Sequence, residues 1–433
     1  MYVYFLTSVF FPTASCIGPS SLLGLFCSSY LMDSIGRRKS FIAFSVPGLL
    51  SWLLIYLAQD ITLLMLGRIL GGISVGGTVI LAAIIIGEYS SPEHRGMFLN
   101  LKTTAIGLGS MIIHILGNYF PWRTLAWAGM VIQAIALAIS FTIPESPHWL
   151  ASKNRFDESR IVFYWLRGVC SQSKREINEI FRLHETPQGT TREGILRKFT
   201  RIDFLKPLTI ALFGFILLES SGRHFFPAYA TQLMEEITEQ STDMSMNTLG
   251  MDITILLSTL ASSCLVKLMK RRTLLFGTGF ASTIVIFTAS LFSFFISNGV
   301  LPASLSGVAI SLYTTFFILA NLGCTPIPLL LMGEIFPLKH RAAGSLAAGV
   351  IASFALWITV KALPYLLETM KLYGTFGLFG LIQLISLFGL YFILPETKDR
   401  TLEEIEYYFK AGCFKEEEGE EVTSVLEKIE NIS

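Results

Sequence analysis

The chain has 433 residues, of which 52% are hydrophobic and 15% charged, with 34 phenylalanines and a formal net charge of +1. A soluble domain carries roughly 25% charged residues, so a water-soluble globular protein is excluded. The near-neutral balance removes the concentrated basic face that a nucleic-acid partner requires. What remains is a polytopic membrane protein whose main partner is lipid. Its six cysteines (16, 27, 170, 264, 324 and 413) show no paired spacing, so neither a disulfide framework nor a zinc site is expected.

Apolar stretches fall at 17–31, 40–58, 63–87, 97–119, 122–143, 206–230, 249–268, 273–297, 303–331, 342–367 and 373–394. Each is near the ~20 residues that a helix needs to cross ~30 Å of hydrocarbon. Eleven spans are therefore expected. They are interrupted by a polar centre, Pro144 to Lys206, within which ESRIVFYWLRG and SKREINEIFRLHE read as amphipathic helices. The tail after Pro395 begins helical and turns acidic and disordered.

Three markers recur in order on the two sides of that centre. Gly36-Arg37-Arg38-Lys39 is echoed by Lys270-Arg271-Arg272, Gly87-Glu88 to Arg95 by Gly333-Glu334 to Arg341, and Pro144-Glu145-Ser146 by Pro395-Glu396-Thr397. This ordered echo predicts an internal repeat. The expected organisation is an N-terminal helical bundle at 1–143, a cytoplasmic linker at 144–205, a C-terminal six-helix bundle at 206–394 and a cytoplasmic tail at 395–433.

Lys and Arg set the orientation. All but Arg68, Lys102, Arg123, Arg223, Lys361 and Lys371 lie in alternate turns, the centre or the tail, which places those segments in the cytoplasm. A cytoplasmic tail and eleven spans leave Met1 outside and five helices in the first half. The opening MYVYFLTSVFFPTAS is too short to cross and lacks the basic start of a signal peptide. The expectation is a first helix missing through a truncated gene model or transcript, with a genuine eleven-helix protein as the alternative.

The turn chemistry predicts a gate. Gly36 permits a tight turn between two helices, Asp33 ends the first and Arg37 and Arg38 open the second. Glu88 with Arg95 and Glu334 with Arg341 each place a carboxylate at a helix end and a guanidinium across the turn, and Glu145 and Glu396 add carboxylates on the same surface. The plainer reading is a set of solvated turn charges, since a surface pair contributes only ~0 to 1 kcal/mol. The second copy carries Lys267 where the first has Asp33, and Lys270 where it has Gly36, so weaker local pairing is expected there. Gly71, Gly72, Gly76 and Gly77 put small residues on one helix, as close helix packing requires.

DSIGRRK (33–39), GRILGGISVGG (67–77), GEYSSPEHRG (87–96), PESPHWL (144–150), TPIPLLLMGEIFPLKHRA (325–342) and PETKDRTLEEIE (395–406) form an ordered set over most of the chain. This set resembles the signature of the sugar porter family of the major facilitator superfamily, and WRTLAW and MGEIFP are most similar to its insect facilitated trehalose transporters. The resemblance implies an all-α membrane protein of two pseudo-symmetric six-helix bundles. It would carry trehalose or a hexose by alternating-access facilitated diffusion in the plasma membrane, as a monomer without cofactor or metal. It further implies a cytoplasmic gate at Asp33, Arg37, Arg38, Glu88, Arg95, Glu145, Arg271, Arg272, Glu334, Arg341 and Glu396.

The substrate site implied by the resemblance comprises Thr103, Ser110, His114, Glu219, Ser221, Gly222, His224, Asn321, Pro326, Pro328 and Leu329. Here the chain departs from the family, in which paired glutamines, an asparagine and a tryptophan hold the sugar: Leu218, Glu219, His224, Thr103 and Leu329 stand at those places, and only Ser221-Gly222 is kept. Glu219 and Arg223 are spaced one helical turn apart, so an ion pair on one helix face is expected, with His224 beside it. Ionisable groups inside the hydrocarbon zone default to function. Asp252 and Lys361 are expected to snorkel toward the headgroups.

Three functions remain open on these residues: a sugar uniporter, a proton-coupled or anion-accepting carrier resting on Glu219, Arg223, His224 and His114, and a sugar sensor that no longer transports. Neither a phosphate-cradling glycine loop nor a nucleophile elbow is present, so no enzyme is expected.

Overall fold

The computed structural model describes residues 16–185, 202–226, 244–302, 305–336, 341–398 and 402–411. These residues fold into α-helices joined by short turns. The first five are α1 (Ile17–Ser34), α2 (Arg37–Leu57), α3 (Ile61–Tyr89), α4 (Pro92–Tyr119) and α5 (Trp122–Ser140). Three short helices follow, α6 (Pro147–Ser152), α7 (Phe156–Arg167) and α8 (Ser171–Glu185). The second series comprises α9 (Ile202–Ser220), α10 (Met244–Leu268), α11 (Arg271–Ser297), α12 (Ser306–Leu319), α13 (Pro326–Glu334), α14 (Arg341–Ile393) and α15 (Leu402–Ala411).

Eight helical segments among the described residues are long and apolar enough to cross a membrane. One of them, α14, runs 53 residues and is broken at Lys371, whose φ of 55° and ψ of −177° are non-helical. A helix of that length is far more than one bilayer crossing needs, so its two arms are two spans. With α1 and α9, which carry more polar residues, every apolar stretch of the sequence has a helix. The chain is a multi-pass membrane protein.

Close packing of α1, α2 and α3 depends on glycine. A Cβ at Gly76 would fall 2.0 Å from Ser21 O of α1, and one at Gly24 would fall 2.0 Å from Ile73 O of α3. Backbones approach to that distance only where no side chain intervenes. In the second series, Ile210, Leu217, Leu275, Ile327, Leu331 and Leu387 form one buried core, and Phe225, Tyr313, Phe316, Phe317 and Phe376 form another. The amphipathic α7 and α8 bury Phe163, Ile177 and Phe181 against α6, and Arg167 of α7 is paired with Glu176 of α8. On α15, Ile405 and Phe409 pack into the first of these cores.

The two helix series meet along α4 and α10, and along α1 and the first arm of α14. Asn100 on α4 donates to Thr259 O at 3.2 Å and to Ser263 Oγ at 2.8 Å on α10. A Cβ at Gly18 would fall 2.6 Å from Trp357 Cβ.

The span expected over 206–230 is interrupted by a turn at 221–224, after which 225–226 are helical again. Helix α9 stops at Ser220, and Gly222 follows with a φ of +88°, where an L side chain is strained. Residues 227–230 lie outside the described residues, as do 1–15 with their short apolar patch.

Candidate functional site

Where the ends of α1, α2 and α3 meet the segment before α6, the charges interlock. Gly36 takes a φ of +99°, a turn that brings the backbone N–H groups opening α2 against the Glu145 carboxylate. Glu145 Oε1 accepts from Arg37 N at 2.7 Å, Arg38 N at 3.1 Å and Ser146 N at 3.0 Å. A carboxylate at this point satisfies orphan donors and meets the positive end of the helix dipole.

Arg37 forms a fork on Glu88, with Nη2 at 2.8 Å from Oε1 and Nε at 3.0 Å from Oε2. Its Nη1 donates to Met32 O at 3.0 Å and lies 3.7 Å from Asp33 Oδ1. Ser146 Oγ donates to Glu88 Oε2 at 2.5 Å, and Arg38 donates to Phe141 O. Glu88 is thus engaged by Arg37, while the Arg95 side chain lies outside the described residues.

The second copy repeats the cap. Glu396 Oε1 accepts from Arg271 N at 3.0 Å and Oε2 from Arg272 N at 3.1 Å. Arg271 Nη1 donates to Val266 O at 2.7 Å, five residues before it, as Arg37 does to Met32 O. Arg272 donates to Leu394 O at 2.6 Å and stacks near Phe276 and Tyr391. What the second copy lacks is an acid in the place of Asp33. The side chains of Glu334 and Arg341 lie outside the described residues.

In the membrane interior, the predicted Glu219–Arg223 pair is corrected. Because the backbone turns at Ser221-Gly222, Arg223 is not one helical turn beyond Glu219, and the partner of Glu219 is His224, at 2.7 Å from Nδ1 to Oε1. Glu219 is 3% exposed, and its Oε2 is buried with no hydrogen-bond partner. A Cβ at Gly222 would fall 2.5 Å from Phe317 Cε1, so this turn is pressed against α12. Ser221 Oγ is spent on Leu218 O at 2.8 Å.

Between α12 and α13 the helix widens. Ala320–Cys324 form a π-turn, with Thr325 N donating to Ala320 O at 3.0 Å, and Pro326 opens α13. Asn321 is buried and its Nδ2 donates to Phe317 O at 2.8 Å. Pro328 faces Gly214 of α9, where an added Cβ would lie 3.3 Å away, and Leu329 packs against the apolar core. Pro326, Pro328 and Asn321 thus lie on one segment beside α9.

On α4, Thr103 is buried and Ser110 half-buried. His114 is paired, its Nδ1 lying 2.6 Å from Asp252 Oδ2 on α10. The expectation that Asp252 snorkels to the headgroups is corrected by the same contact, for its side chain is 5% exposed. Lys361 sits 5.2 Å from the centre of the Trp357 ring, a contact the sequence left undrawn.

One charged group was missed as a site residue. Lys102, beside Thr103 on α4, donates to Val79 O of α3 at 3.3 Å. The available signal was a lysine inside an apolar span, which by itself marks function.

A family model described as sugar (and other) transporter matches residues 7–409. The chain belongs to that family. Among curated relatives, it is 29% identical over 390 residues to the facilitated trehalose transporter Tret1 of Apis mellifera ligustica, covering 90% of this chain and 77% of the relative. It is 28% identical over 388 residues to Tret1 of Culex quinquefasciatus, covering 89% of this chain and 75% of the relative. Among solved structures it is similar to the major facilitator proton:xylose symporter XylE bound to 6-bromo-6-deoxy-D-glucose, with a TM-score of 0.77 at 20% identity over 94% of each chain. The inward-open xylose transporter XylE of E. coli gives a TM-score of 0.70 at 18% identity, covering 92% of this chain and 89% of that one. The fold is that of the major facilitator superfamily.

Proposed function

We propose that this family member carries a sugar across the plasma membrane by alternating-access facilitated diffusion, with trehalose or a hexose as the first candidates. The observation that carries the reading is the matched pair of caps: Glu145 on the Arg37 and Arg38 amides, and Glu396 on the Arg271 and Arg272 amides. The same device at the same turn in both helix series gives each bundle its own rigid cytoplasmic end. Two stiff bundles that rock about a common site are what alternating access needs. The bundles proposed are 1–143 and 206–394, linked by 144–205, with the chain acting as a monomer and the tail from 395 in the cytoplasm.

Arg37, Arg38, Glu88, Glu145, Arg271, Arg272 and Glu396, with Asp33, Arg95, Glu334 and Arg341, form the proposed gate. The proposed path runs past Thr103, Ser110, His114, Glu219, Ser221, Gly222, His224, Asn321, Pro326, Pro328 and Leu329. Facilitated trehalose transport, named for the two insect relatives, supports the substrate class.

The test is uptake of labelled trehalose and glucose into oocytes expressing the protein, with surface delivery checked and with external pH set at two values. Saturable uptake that needs no proton gradient is the expected result. Surface-delivered protein with no sugar flux overturns the reading.

A further inference from the structure

A cleft of about 980 Å³ opens between α3, α4 and the pair α7 and α8. Its volume stands at the upper end of the ~300 to 1,000 Å³ of small-molecule sites. Among the described residues, none that lines it belongs to the proposed gate or the proposed sugar path.

One end of the cleft is apolar and lies within two membrane spans. Ile85, Ile86 and Tyr89 come from the span Ile61–Tyr89, and Phe98, Leu101 and Ala105 from the span Gly96–Tyr119. Phe98 is 41% and Leu101 47% exposed, so this wall is not covered by other described helices. Lys102 borders the same wall with its ammonium bonded to Val79 O of α3, and its four-carbon stem is itself apolar.

The other end is polar. Ser90, Ser91 and His94 there meet Arg167, Cys170 and Ser173. Helix α4 begins at Pro92 and α8 at Ser171, so the positive ends of two helix dipoles stand at this end. The Arg167 side chain is 10% exposed, is paired with Glu176 and donates from Nη2 to Ser90 O at 2.6 Å. Its Nε is buried with no hydrogen-bond partner among the described residues. The guanidinium therefore keeps a donor that an acceptor entering the cleft can satisfy after a small swing of the side chain.

From His94 to Ala105 the cleft rises eleven residues along α4. At 1.5 Å per residue this is ~16 Å, about half of the ~30 Å of hydrocarbon in a bilayer. That is the depth of one leaflet. Two helix N-termini and a guanidinium select a phosphate. A soluble phosphate ester would leave the apolar wall bare, whereas a hydrocarbon chain restores the dispersion contacts that an empty gap forfeits.

We propose that this cleft holds one phospholipid of the adjoining leaflet, with its phosphate on Arg167 and the first turns of α4 and α8. One acyl chain lies along Ile86, Phe98, Leu101 and Ala105. The site is independent of the solute that the protein carries.

The full-length protein in nanodiscs is irradiated with phosphatidylcholine that bears a photoactivatable diazirine on its acyl chain, and adducts are mapped by peptide mass spectrometry. Adducts on the cleft residues of α3 and α4 are expected to exceed those on Ile132, Ile135 and Ile139, exposed apolar residues of α5. Ala105→Trp and Leu101→Trp crowd the deep end, so each should cut the cleft adducts about fivefold or more and leave those on α5 unchanged. Arg167→Gln should lower them about tenfold, as loss of a charge-assisted bond predicts, and Arg167→Lys should restore part of the yield. The Tm of each variant shows that it folds, and the two tryptophan variants decide if Arg167→Gln does not.

Adducts spread evenly over α4 and α5 mean ordinary surrounding lipid and overturn the proposal. Equal cleft labelling of wild type and both tryptophan variants overturns it too. Equal labelling by a diacylglycerol with the same diazirine chain overturns it by removing the role of the phosphate.

Discussion

His114 Nδ1 lies 2.6 Å from Asp252 Oδ2, and this contact joins α4 of the first helix series to α10 of the second. Asp252 is 5% exposed and His114 19%, so the pair is held away from water. His114 stands five residues before the end of α4 and Asp252 eight after the start of α10. Any motion that parts α4 from α10 must break it.

Removal of one partner leaves a buried carboxylate alone, at a cost of about 3 kcal/mol. His114→Leu is therefore expected to lower the Tm clearly, whereas His114→Leu with Asp252→Leu is expected to recover much of the loss. A double-mutant cycle on purified protein checks this, and additive losses refute the coupling.

The Arg37–Glu88 fork is expected to need a guanidinium. Arg37→Ala removes the fork and the bond to Met32 O, and should cut uptake about tenfold or more at equal surface level. Arg37→Lys keeps the charge without the two-pronged geometry, so an intermediate rate is expected. Uptake in oocytes with surface biotinylation reads both, and a wild-type rate in Arg37→Ala refutes the gate role.

The two caps are expected to be equivalent. Glu145→Gln and Glu396→Gln each replace a charged acceptor by an amide whose NH2 group faces the helix amides. Each should be destabilised by about 1 kcal/mol, a shift of a few degrees in Tm. Thermal unfolding of the two variants side by side measures this, and a loss at only one site contradicts their equivalence.

Gly222→Ala should be among the costlier glycine replacements. The positive φ adds about 1 kcal/mol or more of backbone strain, and the new Cβ meets Phe317 at 2.5 Å. Gly107 on α4 has nothing within 4 Å of an added Cβ, and Gly107→Ala should be neutral or stabilising through helix propensity. Comparison of their Tm values tests the difference.

The fold was legible because length and apolarity are local properties. Each of the eleven stretches contains a helix, and at the markers read as a gate the amides of Arg37 and Arg271 are capped by Glu145 and Glu396, a backbone role the sequence did not show. The interior was harder to read. A spacing of four residues predicted that Glu219 and Arg223 would pair, but that inference assumes an unbroken helix, and Gly222 breaks it. His114 and Asp252 lie 138 residues apart in sequence, and no periodicity joins residues on different helices. Lys102 was visible as an oddity in its span, while its bond to Val79 O exists only once α3 and α4 are placed.

The π-turn at Ala320–Cys324 holds one residue more than an α-turn would. If that residue is reeled into the α pattern, everything after it rotates by about 100° and advances about 1.5 Å. Pro326 just beyond has no N–H to lose in the exchange. Helix α13, with Pro328 against Gly214, is thereby mounted on a screw thread: a quarter-turn re-aims its whole face.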